Sequence, residues 1–374
     1  MTSDADDKVS IVIAGESFEG WLDVSLDSDL FTQADAFKLS APIPAKSVRA
    51  KILPFSTCDI YVGRDRQMAG FIDDVTPSGD RSSSRLSVVG RDLAAHLVDN
   101  ESKKFNARDM NIKTMIEKLV DPSWGIKVVL SNEDNRRLLL GKKDKKKVSA
   151  ATPEFLKPIP RASTKIDGGQ KISQIIDTHC KRLGITWWMT AKGELFLGKP
   201  NYKQSAAYSF RLAPLGSSEA KNNNVERYSV QRSAADQYTE IVVNGVGIAK
   251  TKGLFDSGSS APKFTATAVD SELQRRGIKR KLIISDSDIT SKSEATKRAQ
   301  TELQRRKLAG FSISLTVPGY RQEDRLYAVD TLASVKIEEA DVDGVFYVSQ
   351  RRFYEDRGKR RTDLKLIAKD VWLP

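Results

Sequence analysis

Two widely separated stretches of this 374-residue chain read as the same supersecondary unit, and that constrains the fold more than any composition figure. Gly70-Phe-Ile-Asp-Asp-Val75, a polar loop and Leu86-Ser-Val-Val-Gly-Arg-Asp-Leu93 resemble Gly344-Val-Phe-Tyr-Val348, a longer polar loop and Leu364-Lys-Leu-Ile-Ala-Lys-Asp-Val371. Each half is a strand, a charged hairpin, a second strand and a basic-Asp-apolar ending. A repeat of this kind predicts two similar β domains, one near each end of the chain.

The surrounding patterns agree. Val9–Ile13, Trp21–Leu26, Ala36–Leu39, Asp59–Val62, Gly70–Val75 and Arg85–Val89 are short, mostly alternating runs bounded by Gly, Pro, Ser or Asp, with Pro77 to Ser84 reading as a hairpin loop. Six such strands suggest a small barrel over residues 1–100. Past Asn100 the period lengthens. Ile112, Met115, Ile116 and Leu119 predict a helix stopped by Pro122, and Ile172, Ile175, Ile176, Cys180 and Leu183 a second one ended by Gly184. Ile185–Met189 and Glu194–Leu197 then form a hairpin, so 101–205 reads as an α+β module. Strands return at Val225–Gln231, Thr239–Asn244, Lys281–Ile284, Phe311–Val317, Ala333–Ile337, Val345–Ser349 and Asp363–Ala368, giving a second barrel domain over 206–374. An insertion at about 250–310 interrupts it, with a Gly/Ser-rich stretch from Gly253 to Ala261 and a helix from about Lys292 to Leu308 carrying a narrow Ala295, Ala299, Leu303 stripe. The expected class is a β-rich α+β protein: two similar tube-like β-barrels, an α+β module between them and a helix-bearing insertion.

Chemistry-bearing constellations are missing. Two cysteines, Cys58 and Cys180, and two histidines, His96 and His179, assemble neither a metal cluster nor a disulfide framework. His179 and Cys180 are helix neighbours about 100° apart, so a thiol–base pair is disfavoured and Cys180 reads as core. Asp73-Asp74 and Glu338-Glu339 alternate across strand faces, which suits solvated acids better than paired catalytic carboxylates. Gly245-Val-Gly247 lacks the rest of a dinucleotide fingerprint. The reading is no enzyme, no cofactor and no metal, with an undetected hydrolase as a remote alternative. No stretch is long and apolar enough to span a membrane, and the acidic N-terminus lacks signal-peptide character, so synthesis in a cytoplasm is expected.

Charge is uneven. The chain sums to +12, yet residues 1–100 carry −6 and the remainder +18. The basic runs Lys142–Lys147, Arg275–Lys281 and Arg305–Lys307 keep a DNA-binding protein open as the alternative function, although no aromatic is interleaved with them for base stacking.

The order of the motifs resembles the tail baseplate hub proteins of contractile-tailed bacteriophages, particularly those of Mu-like phages. The resemblance runs through Phe18-Glu-Gly-Trp21, Ala36-Phe-Lys-Leu39, Asp59-Ile-Tyr-Val-Gly63, Met68-Ala-Gly-Phe-Ile-Asp-Asp-Val75 and the characteristic Val89-Gly-Arg-Asp-Leu-Ala-Ala-His-Leu-Val-Asp99. Later matches are Gly193-Glu-Leu-Phe-Leu197, Asn222-Asn-Asn224, Arg298-Ala-Gln-Thr-Glu302 and Val317-Pro-Gly-Tyr-Arg321. What it implies is a structural virion protein, assembled in the host cytoplasm as a homotrimer whose six pseudo-equivalent barrels join a six-fold tail tube to a three-fold central spike. Other baseplate proteins would be further partners, and genome DNA would pass through the channel transiently. No lysozyme-like or peptidase-like segment is visible. Under this reading Ile60, Phe71 and Phe346 mark candidate subunit interfaces, with burial in each barrel's own core as the competing explanation, and Asp73 and Asp74 are candidate channel-facing acids that would repel DNA phosphate.

Overall fold

A computed structural model describes residues 7–131, 156–159, 165–245, 264–286, 289, 291–356 and 358–369. The first β region forms β1 (Val9–Ile13), β2 (Glu16–Phe18), β3 (Asp23–Asp29), β4 (Ala36–Pro42), β5 (Thr57–Val62), β6 (Asp65–Gly79) and β7 (Ser84–Asp92). Alternation sets their faces: Phe37 and Leu39 of β4 are buried while Lys38 between them is exposed. Burying each such side chain contributes roughly 1.5–3 kcal/mol.

The middle segment supplies β8 (Phe105–Asn106), β9 (Lys127–Val129), β10 (Lys165–Ile166), β11 (Thr186–Met189) and β12 (Glu194–Gly198). Its helices Ile112–Leu119 and Ile172–Leu183 lie where the periodicity put them. Asn111 caps the first by accepting from Thr114 N, and Gly184 ends the second at φ 65°, a left-handed position that suits glycine. Their apolar faces and the Trp187, Leu195 and Leu197 side chains make a core of their own.

The C-terminal region adds β13 (Ala206–Leu212), β14 (Arg227–Arg232), β15 (Glu240–Gly245), β16 (Phe264–Val269), β17 (Lys281–Asp286), β18 (Phe311–Pro318), β19 (Arg321–Gln322), β20 (Arg325–Leu326), β21 (Thr331–Ile337), β22 (Val342–Asp356) and β23 (Lys359–Ala368). Strands β16, β15 and β17 form a separate sheet covered by helix Lys292–Ala309. Ala295, Ala299 and Leu303 of that helix are buried against Ile241, Val243, Ala266 and Ala268, so the expected narrow stripe meets a partner surface. The stretches Lys142–Lys147 and Gly253–Ala261 lie outside the described residues.

The two expected barrels are not closed separately. Thirteen strands from both ends of the chain form one sheet in the order β14-β18-β23-β22-β3-β4-β7-β6-β5-β1-β2, with β21 on β22 and β13 on β21. The physical reason is the length of β22. Its first half pairs with β21 and its second half runs on, setting Gln350–Asp356 antiparallel to Asp29–Asp23 of β3. One apolar core therefore holds Leu26, Phe37 and Ile60 together with Phe210, Ile313 and Phe353.

The repeat is present, with a corrected register. The β6–β7 ladder bulges between Ile72 and Asp74, and the β22–β23 ladder between Val348 and Gln350, so the extra residues Asp73 and Ser349 correspond, 276 positions apart. The same offset relates β4 to β18: Pro42 lies opposite Arg85, and Pro318 opposite Arg361. Matching Gly70 to Gly344 and Leu86 to Leu364 by sequence slips each strand by two residues. A slip of two keeps every side chain on its own face, which is why the sequences still look alike. The segment Pro77 to Ser84 is also less loop than composition suggests, since β6 continues to Gly79 and the turn is Asp80–Ser83.

Candidate assembly interface

The β22–β3 seam shows how the chain joins two repeat units. Phe353 and Leu26 face each other across it, both fully buried, and on the solvent side Arg352 Nε donates to Ser25 Oγ at 3.0 Å and lies 3.5 Å from Asp27 Oδ1. Arg351 points inward at 3% exposure, its guanidinium 4.0 Å from the Phe353 ring centroid. Its Nη1 donates to Gln67 Oε1 at 2.5 Å and to Tyr327 O at 3.3 Å.

Beside Arg351 lies a cavity of about 220 Å³, lined by Asp35, Gln67, Asp92, Trp188 and Thr190 among others, where both β regions meet the middle module. Asp92 N donates to Asp35 O at 2.9 Å, Asp92 Oδ1 accepts from Ala94 N at 2.9 Å, and Asp35 Oδ1 accepts from Asp29 N at 2.8 Å. Burial pushes Asp92 up to about 7. Asp35 is driven well above the carboxylate range, first by burial and then by the neighbouring Asp92 charge, while burial draws Arg351 down to about 10. Two carboxylates and one guanidinium thus share a poorly solvated junction. Asp92 belongs to the Gly-Arg-Asp run noted in the sequence; nothing in the local pattern marks Asp35 or Arg351, which meet it only through the fold.

The residues singled out from sequence are dispersed. Ile60 is fully buried between Ile11 and Met68, and Phe71 is buried with its ring 4.6 Å from His96. Phe346 is half-buried and stacks on Phe311 at 5.8 Å. Asp73, at the bulge, accepts two 2.8 Å hydrogen bonds from Arg91, which also pairs with Asp99 at 2.7 Å; Asp74 is exposed and separate. Cys180 is buried and its thiol pushed far up, and burial pushes Cys58 up to about 12, so neither is poised as a nucleophile. Glu339 accepts from Tyr228 Oη at 3.3 Å. A Cβ at Gly245 would meet Ile289 Cγ2 at 2.6 Å, so this glycine serves packing. Among the described residues no group of three His, Cys, Asp or Glu could hold a metal, and no helix is long and apolar enough to cross a membrane.

Part of the described basic runs is compensated within the chain. Arg305 and Arg306 both reach the buried Glu302, at 2.7 and 2.8 Å, and Lys307 pairs with Asp270 at 3.0 Å. Lys281 pairs with Glu240 at 2.8 Å, and Arg280 lies over the Tyr238 ring at 5.3 Å. These pairs help hold the insertion together.

Comparison with known proteins agrees with this architecture. Residues 8–92 match the family described as Mu phage baseplate assembly protein GpP-like, N-terminal, and residues 305–370 match the family described as tail protein, C-terminal domain. The baseplate hub protein gp44 of Escherichia phage Mu is 23% identical over 319 residues, covering 84% of this chain and 75% of that protein. The tail protein from Neisseria meningitidis MC58 superposes with a TM-score of 0.78 at 22% identity, covering 98% of this chain and 97% of that one. The 43 kDa tail protein of prophage MuSo2 from Shewanella oneidensis gives 0.77 at 23% identity, covering 98% and 100%.

The matched segments are similar to phage baseplate and tail proteins, and the chain shares the fold of these tail proteins. Among them the baseplate hub protein of phage Mu is the similarity that the sequence resemblance implied.

Proposed function

We propose that the chain is the structural hub of a contractile tail baseplate: a homotrimer that joins a six-fold tail tube to a three-fold central spike and forms part of the channel for DNA. The observation that carries this reading is the internal repeat. Two units related by a 276-residue offset lie side by side in one sheet, so three chains supply six near-equivalent units for one neighbour and three identical chains for the other. The function is mechanical and asks for no catalytic group. The tail tube protein, the spike and other baseplate proteins are the partners this predicts, and the virion its location. Asp74, exposed on the sheet, is the acid available to face the channel, whereas Asp73 is neutralised by Arg91.

Light scattering on the purified protein, followed by negative-stain class averages, tests the proposal. A mass of three chains and ring-shaped hollow particles are expected. A chain that stays monomeric at high concentration and in the presence of its cognate spike overturns it.

A further inference from the structure

We infer that the outer arm of β6, from Val75 to Asp80, pairs antiparallel with Arg227–Arg232 of β14 in a second copy of the chain, setting Ser78 opposite Ser229. This rests on the trimeric reading above and names the surfaces that close the ring.

The argument begins with a seam the molecule already contains. In each repeat unit four strands run side by side: β3, β4, β7, β6 in the first and β14, β18, β23, β22 in the second. Strands β6 and β22 correspond through the 276-residue offset of their bulges. Asp23 of β3 lies opposite Ser40 and Arg227 of β14 opposite Thr316; positions 40 and 316 are again 276 apart, so Asp23 corresponds to Arg227. Within the chain the outer half of β22 takes β3, with Tyr354 opposite Ser25 and Phe353 opposite Leu26. Their counterparts are the outer half of β6 and β14, and both are sheet edges: Asp74–Gly79 pairs with β7 alone and β14 with β18 alone among the described strands. Carrying the internal register across places Ser78 opposite Ser229, Pro77 opposite Val230 and Gly79 opposite Tyr228.

Burial supports the same occupant. At the internal seam Val24, Leu26, Arg351 and Phe353 are buried. Their counterparts Tyr228, Val230 and Val75 are only half-buried, and Pro77 is exposed, so the core face of each edge is unfinished in the isolated chain. Charge fits as well, because the register sets Asp80 against Arg227. Since the two edges differ, the contact is head-to-tail and closes by rotation. In a trimer, three internal β22–β3 seams then alternate with three intermolecular β6–β14 seams.

The double variant Ser78→Cys/Ser229→Cys tests the register, since directly opposed residues of an antiparallel pair hold their Cβ atoms about 4.5–5.5 Å apart, close to disulfide reach, while diagonal ones stand about 7–8 Å apart. On mild oxidation the monomer band of a non-reducing gel is expected to give way to a covalent trimer, and Thr76→Cys/Ser229→Cys, two residues out of register, to stay uncrosslinked. Cys58 and Cys180 are buried and stay in place. A protein with three-chain mass by light scattering in which the Ser78/Ser229 pair fails to link, or the off-register pair links equally well, overturns this pairing and leaves the trimer standing. Dimers linked in the Ser78→Cys single variant indicate a symmetric β6–β6 contact and overturn it too. A chain monomeric under every condition overturns both readings.

Discussion

Replacing Asp92 by Asn should make the protein more stable above neutral pH, contrary to the usual effect of altering a buried polar group. Asp92 is 4% exposed and its carboxyl moves from an ordinary 3.8 to about 7 because burial disfavours its charged form. At about 1.36 kcal/mol per pKa unit, that difference corresponds to about 4 kcal/mol. The folded-state value is raised, so the folded protein binds the proton more tightly. Stability is therefore full below the unfolded value near 3.8 and is lost as pH rises through about 7. Asn retains an oxygen to accept from Ala94 N and carries no charge to desolvate. The figure is a ceiling, since Asp35 and Arg351 share the cavity and part of the slope remains with Asp35. Urea unfolding at about pH 4.5 and about pH 8 should give similar midpoints for both proteins at the lower pH and a higher midpoint for Asp92→Asn at the upper. Parallel pH dependences for the two proteins would refute the reasoning, because the junction would then carry no titrating carboxyl at position 92.

Gly90→Ala should lower the melting temperature, costing about 1–3 kcal/mol or more, because a Cβ there would lie 2.3 Å from Phe71 O and 2.5 Å from the Phe37 ring; unchanged calorimetric melting would mean the hairpin shifts freely. Phe353→Ala removes a fully buried ring packed 4.7 Å from Tyr320 and under the Arg351 guanidinium, and should cost about 3–5 kcal/mol in urea unfolding. Asp74→Lys should slow DNA ejection from assembled particles. Unaltered ejection kinetics would remove Asp74 from the channel.

The placement of most elements was legible because their stabilising contacts are periodic and local. The helix Ile172–Leu183 repeats its isoleucines at helical spacing and stops at a glycine in the left-handed region. The helix Lys292–Ala309 was bounded to within a residue by its Ala295, Ala299, Leu303 stripe. What sequence missed is instructive. The sequence pattern ends β22 at Ser349 and gives way to a loop at Pro77, yet both strands continue as long arms. Gln350-Arg-Arg-Phe-Tyr-Glu-Asp356 and Thr76-Pro-Ser-Gly79 are polar and weakly patterned, although each still pairs within its own hairpin, with β23 and β7, while Gln350–Asp356 takes β3, more than 300 residues away, on its other edge. Strand β13 pairs in parallel with β21 more than a hundred residues later, so no nearby partner strand marks it in the sequence.

The sequence by itself determined the β-rich class, the helical module and the existence of a repeat, because alternation, helical spacing and turn residues act over a few neighbours. Only the fold brings the two repeats into one sheet, lines one cavity with Asp35, Asp92 and Arg351, and leaves β6 and β14 as edges among the described strands. Those outcomes depend on register and on which distant strands meet, and hydrogen-bonded pairing between strands is nearly indifferent to the side chains that identify each partner.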